Sequence, residues 1–168
     1  MTRRRWLALA ASIFALALAL MIAAPFMAPY GTFVGLDGSA ANIEHGWMGH
    51  GPAGLAYLIG DIFCHQQETR SFILNGSQMP VCIRDTGILL GLVAGFLACW
   101  LMERRMTDRR VAVIGAALVA VMAVEWYAEG IVGDLPWIRF AAGAVGGAGA
   151  AFFLSWMLYR DTESDNPV

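Results

Sequence analysis

Apolar residues run along this chain in blocks too long for the core of an ordinary soluble domain, and the polar residues collect between the blocks. Four blocks approach or exceed the ~20 residues that carry an α-helix across the hydrocarbon of a bilayer. They run from Trp6 to Met27, Thr86 to Met102, Val111 to Tyr127 and Phe140 to Tyr159. The second and third lie near the lower length limit, so their ends are soft. The pattern predicts an all-α membrane protein: one polytopic domain over residues 1–168, built as a four-transmembrane-helix bundle with an outer loop over residues 28–85.

The first block follows Arg3, Arg4 and Arg5, a flank that also opens secretory signal peptides. Its apolar part exceeds the about 7–15 residues of a secretory core, and no A-x-A site follows. A retained first transmembrane helix is expected.

Between the first two spans the pattern changes. Residues 28–52 are rich in Gly and Ala without a sustained period, and read as loop with one short helix. Gly51 to Phe63 is apolar again but spans only 13 residues, which suits a short re-entrant or interfacial helix ending at Cys64. Asn75-Gly76 and Pro80 then signal a hairpin-like excursion before Cys82. Asp85 and Thr86 stand where the second span needs an N-cap. Gly133, Asp134 and Pro136 mark a short turn between the last two spans. Within the spans, Gly87, Gly91 and Gly95 repeat every four residues with Cys99 continuing the stripe, and Gly143 and Gly147 form a second small-xxx-small pair. Such stripes predict close helix packing, with Cys99 as a small packing residue.

Composition agrees with the bilayer as solvent: 58% of the residues are hydrophobic and 14% charged, at a formal net charge of -2. The basic residues are all arginines. Arg3, Arg4, Arg5, Arg104, Arg105, Arg109, Arg110 and Arg160 fall on one side of a four-pass arrangement, and Arg70, Arg84 and Arg139 on the other. The positive-inside bias then predicts an integral cell-membrane protein with both termini cytoplasmic and the 28–85 loop extracytoplasmic. The partners expected are the lipid bilayer and other proteins of a membrane complex. No basic surface points to nucleic acid.

The loop holds all three histidines and two of the three cysteines. Cys64, His65, Cys82 and Asp85 offer thiolate, imidazole and carboxylate, a set that suits Zn²⁺ or another first-row transition metal. Glu125 lies inside the third apolar block, where an ionisable side chain needs a partner, and is a further candidate ligand. Blander readings stand beside these. Cys64 and Cys82 can form a structural disulfide, and Asp85 can simply cap a helix. Asp61 and Glu68 read as polar loop residues, and His45 and His50 as neighbours of Trp47 at the interface.

The string "FCHQQETRSFILNGSQMPVCIRDTG" resembles the signature of the DUF2085 family of predicted membrane proteins, in which C-H-Q and E-R-S-F precede a C-x-R-C-T-G stretch opening a helix. The resemblance implies that Cys64, His65, Gln66, Cys82 and Arg84 occupy the family's motif positions, with Asp85 standing where the pattern has its last cysteine. It implies no established activity. The role expected from residues and resemblance together is a binding or accessory subunit with a Cys/His/Asp metal site or a structural disulfide. Two alternatives remain open: a membrane thiol-disulfide/quinone oxidoreductase using Cys64 and Cys82, and an ion or small-solute transporter using Glu125 and Glu129. Haem, nucleotide and nucleophile-elbow motifs are missing from the sequence.

Overall fold

The computed structural model describes residues 2–37, 46–102 and 106–160; His45, Arg104 and Arg105 lie outside the described residues. Five α-helices and one hairpin follow in the order α1 (Arg3–Ala23), α2 (Gly51–Phe63), β1 (Ser71–Leu74), β2 (Ser77–Cys82), α3 (Ile83–Leu101), α4 (Arg109–Val132) and α5 (Pro136–Arg160). Four of them, α1, α3, α4 and α5, are long and apolar enough to cross a bilayer. The protein is an all-α membrane protein whose only sheet, among the described residues, is the two-stranded hairpin. The chain divides into two compact units, one from Met1–Ala15 and Gly87–Val168, the other from Leu16–Thr86.

The first unit is the helical one. Leu7, Ala11, Phe96, Cys99, Met106, Ala151 and Tyr159 form its buried cluster, and Phe14 stacks on Phe96 at 5.8 Å. The small-residue stripes set how closely its helices approach. A Cβ on Gly91 would overlap the backbone carbonyl of Ala144, and one on Gly147 the carbonyl of Ile88, so α3 and α5 touch backbone to backbone. Without a hydrophobic drive between helices in lipid, this contact and its dispersion energy do the packing. Cys99 is fully buried in the same seam, as expected of a packing residue.

α4 runs further than its apolar block, because both its ends are chemically marked. Asp108 Oδ1 accepts the Arg110 N–H at 2.9 Å as an N-cap, and Gly133, at φ +90°, closes the far end by donating to the Glu129 carbonyl at 3.0 Å. Pro136 then opens α5, where its missing N–H costs nothing. The longer α4 keeps Glu125 and Glu129 within the helix. Arg139, 1% exposed, pairs with Glu129 and with Asp134, the latter at 3.0 Å. One cation thus ties together α4, the turn and α5.

The second unit gathers the loop. The Ala24–Phe26 turn, α2 and β2 pack together, and Phe33, Trp47 and Tyr57 form an aromatic core, with Phe33 and Tyr57 stacked at 3.8 Å and Trp47 and Tyr57 at 5.3 Å. His50 meets the edge of Phe33 at 5.0 Å. β1 and β2 pair antiparallel through Leu74↔Ser77, with Asn75 and Gly76 at positive φ in the turn, as Asn-Gly demands. Two expectations are corrected. Asp61 is not a loop residue: it lies in α2, fully buried, and accepts the Trp47 indole N–H at 2.8 Å. Nor do Asp85 and Thr86 cap α3, because the helix already begins at Ile83 and places both inside its first turn.

Two outcomes test the helical unit. Gly91→Leu should cost at least the upper end of the about 1–3 kcal/mol of ordinary overpacking, whereas Gly130→Ala, with nothing within 4 Å, should be neutral or slightly stabilising; thermal melts in detergent compare them. Arg139→Leu should lose about 3–5 kcal/mol by stranding Glu129, and the Arg139→Leu, Glu129→Leu double variant should recover part of that loss in the same assay.

Candidate functional site

α2 has to stop at Phe63 because Cys64 turns extended, donating its N–H to Gly60 O at 2.7 Å as the chain leaves. Gln66 then takes a left-handed conformation, φ +48°, uncommon outside glycine. Its fully buried side chain compensates. The Gln66 amide nitrogen donates to Tyr57 O and to Pro80 O, both at 3.0 Å, fastening the segment after Cys64 to α2 and to β2 just ahead of Cys82. Gly60 makes room, since a Cβ there would overlap the Pro80 carbonyl.

Gln78, also fully buried, extends this clamp. Its Nε2 donates to Gln66 O at 3.0 Å and to Leu36 O at 3.3 Å, while its Oε1 accepts the Leu36 N–H at 2.6 Å. The Tyr57 hydroxyl donates to the Gln78 carbonyl. Burial holds that phenol protonated by pushing its pKa up, so it stays a donor.

The clamp delivers Cys82 to Cys64. The Cys82 N–H donates to Cys64 Sγ at 3.1 Å, and Cys82 Sγ lies 3.2 Å from Asp85 Oδ2. One ligand atom from each of Cys64, Cys82 and Asp85 falls within 4.8 Å of the others. Cys64 is buried, and Cys82 and Asp85 are half-buried. All three cysteines of the chain, Cys99 included, are free thiols.

Cys82 immediately precedes α3 and takes the N-cap position that the sequence suggested for Asp85. Cys82 Sγ takes up the Asp85 N–H as an N-cap side chain does, but the capping box is not completed: the Cys82 N–H goes to Cys64 Sγ, and the Asp85 carboxylate accepts from the Cys82 thiol. Thr86 donates its hydroxyl to the Cys82 carbonyl at 3.0 Å. The two thiols consequently differ. Hydrogen bonding with Cys82, and then burial, push the Cys64 thiol up. The same Cys64 hydrogen bond lowers Cys82, helped by the Asp85 N–H and opposed by burial and the Asp85 charge. The shared hydrogen bond thus acts on the two thiols in opposite directions, raising Cys64 and lowering Cys82.

Three of the five proposed ligands thus come together. His65 is exposed and outside the 4.8 Å group, between its buried neighbours Cys64 and Gln66. Glu125 belongs to the helical unit, half-buried in α4. Gln78 and Tyr57 were missed by sequence reasoning, and Gln66 entered only as a motif position. Three glutamines, Gln66, Gln67 and Gln78, stand in this polar stretch, and nothing in residue type or spacing set Gln66 and Gln78 apart from Gln67.

Residues 64–153 match the family described as "Predicted membrane protein (DUF2085)", more than half of the chain. The chain belongs to this family. An uncharacterized protein of Methanocaldococcus jannaschii is 26% identical over 102 residues, covering 58% of this chain and 65% of that protein. An uncharacterized protein of Methanothermobacter thermautotrophicus is 29% identical over 94 residues, 52% of this chain and 80% of its own length. No solved structure matches the chain. The matched segment opens at Cys64 and includes Cys82 and Asp85, so the DUF2085 region carries the whole cluster.

The thiol asymmetry is measurable. Followed against pH by mass spectrometry, iodoacetamide labelling of Cys82 should have its midpoint below the about 8.5 of a free thiol, and Cys64 above it. Cys64→Ala should move the Cys82 midpoint upward, because the donor that stabilises its thiolate is gone. Equal midpoints for the two thiols would contradict the arrangement.

Proposed function

We propose that this DUF2085 protein is a metal-binding membrane subunit, its centre formed by Cys64, Cys82 and Asp85 at the mouth of α3 on the extracytoplasmic face. The observation that carries the reading is the convergence of two thiols and a carboxylate within 4.8 Å on a buried, amide-clamped frame. A tetrahedral Zn²⁺ with bonds of about 2.3 Å to sulfur and about 2.0–2.2 Å to oxygen needs donors roughly 3.3–3.8 Å apart. The Cys82 Sγ to Asp85 Oδ2 separation of 3.2 Å is a hydrogen-bond distance that would open by a few tenths of an ångström on an ion, and the remaining donors, within 4.8 Å, would close. One thiol already inclined to ionise lowers the proton cost of loading, since the ligand is the thiolate.

Three protein donors leave a fourth position for water, for exposed His65 or for a group from a partner. A fourth position occupied by water is the arrangement of catalytic zinc sites, and one filled by protein is the structural arrangement. Asp85 favours a harder, more exchangeable centre than the cysteine of the family pattern would provide. The Cys64 and Cys82 pair also supports a second reading, thiol-disulfide exchange, in which Cys82 thiolate attacks a substrate disulfide and Cys64 resolves the mixed disulfide. Two electrons then pass from the dithiol to that disulfide.

Competition titration of the detergent-purified, reduced protein with Zn²⁺ and a chromophoric chelator should give about one ion per chain. Cys64→Ser, Cys82→Ser and Asp85→Ala should each weaken binding by more than the about 10–100-fold typical of outer-shell changes, and Gln66→Leu by about that amount. Asp85→Cys should retain the ion. Failure of wild-type protein to take up metal, with a Cys64–Cys82 disulfide that forms and reduces reversibly, would replace this reading by the redox one.

A further inference from the structure

In the helical unit, α1 and α5 meet where α1 begins and α5 ends, and α1 meets the end of α3 at the same level. Arg3 lies 5.1 Å over the Tyr159 ring, Arg4 4.5 Å over the Trp100 ring, and Arg160 4.9 Å over the Trp156 ring. α4 starts at this end too, with exposed Arg109 and Arg110, because it runs antiparallel to α5 from the turn at Gly133. The acidic residue placed here among the described ones is Asp108, whose carboxylate caps α4. The end of the unit is therefore a cationic rim set on aromatic rings.

From this rim a groove of about 240 Å³ runs along the bundle between α1 and α3. Ala8, Ala11, Ser12 and Ala15 line it on α1, facing Leu97 and Trp100 on α3. The α1 residues recur at helical spacing on one face, and their small side chains leave a furrow that larger ones would fill. Trp100 belongs to both features: one part of it lines the furrow while its ring carries the Arg4 guanidinium. A sidedness bias alone would place arginines near this end. It would not seat one of them on the residue that closes an apolar furrow.

We propose that this furrow is a binding site for an anionic phospholipid, with the headgroup phosphate held by Arg4 and Arg5 and an acyl chain lying between α1 and α3. The charge of the rim selects an anion, and the apolar furrow running from it selects an anion with a hydrocarbon tail. A guanidinium carries a planar fork of donors that suits paired hydrogen bonds to phosphate oxygens. The site uses neither Cys64 nor Cys82 and stands apart from the metal reading.

Native mass spectrometry of the full chain, titrated with phosphatidylglycerol or with phosphatidylcholine of the same chains, tests it. The expected result is one retained phosphatidylglycerol, favoured over phosphatidylcholine by fivefold or more. Arg4→Gln and Arg5→Gln should each cost about fivefold in phosphatidylglycerol binding with phosphatidylcholine unchanged. Ser12→Phe, at an exposed position, should fill the furrow and lower binding of both lipids; Ala15→Phe, one turn on and also exposed, does the same should the first variant misfold. Equal binding of the two lipids, or undiminished binding in a folded furrow-filling variant, would overturn the proposal. So would a dimer that Ser12→Phe dissociates, which would make the furrow a contact between copies of this chain.

Discussion

Two buried primary amides, Gln66 and Gln78, hold the second unit in its shape. An unpaired amide in such surroundings costs about 1–3 kcal/mol per stranded group, so each glutamine is worth its place only where its partners are fixed. Here the partners are main-chain groups of α2, β2 and the Phe33–Leu36 segment, so each amide fixes several stretches of chain at once, through both ends of Gln78 and through the nitrogen of Gln66, whose Oε1 has no hydrogen-bond partner among the described residues. Remove this constraint and Cys64, which follows a helix too short to span a bilayer, has no reason to face Cys82 across the hairpin.

The rest of the candidate site follows from helix-end chemistry. A chain entering α3 leaves its first N–H groups without partners, and the sulfur of Cys82 takes the role a hydroxyl usually fills. The Cys82 thiol in turn donates to the Asp85 carboxylate, which brings that carboxylate to the same sulfur. A metal-type donor set and a capping motif are thus one arrangement. Asp85 is not the cap itself: its backbone N–H is taken up by the Cys82 sulfur, and its carboxylate stands beside the thiols. The same holds for the family pattern, in which a cysteine at this position would also lie one helical turn into α3, beside Cys82.

Much of the fold was legible because the bilayer imposes length. Four apolar blocks had to be spans, the 13-residue run of α2 could not be one, and Asn75-Gly76 left little choice but a tight turn. What escaped was long-range or chemically ambiguous. Asp61 looked like a loop carboxylate because its partner, Trp47, is brought to it only by the fold. Asp85 and Thr86 looked like caps because propensity ranks Asp and Thr above Cys at that position. Glutamine carries no periodic signature, so the clamp could not be read before its acceptors were in place. Residue type and spacing singled out Cys64, His65, Cys82, Asp85 and Glu125 together, and only the fold separates the three that cluster from exposed His65 and from Glu125 in α4.

The proposed binding of one metal ion by Cys64, Cys82 and Asp85 together is open to direct measurement. X-ray absorption at the zinc K-edge of the stoichiometrically loaded protein reads that shell most directly. Two sulfur neighbours at about 2.3 Å with oxygen or nitrogen at about 2.0–2.2 Å are expected, and Asp85→Cys should raise the sulfur count to three. A shell without sulfur, or one unchanged in Cys64→Ser and Cys82→Ser, would contradict the account.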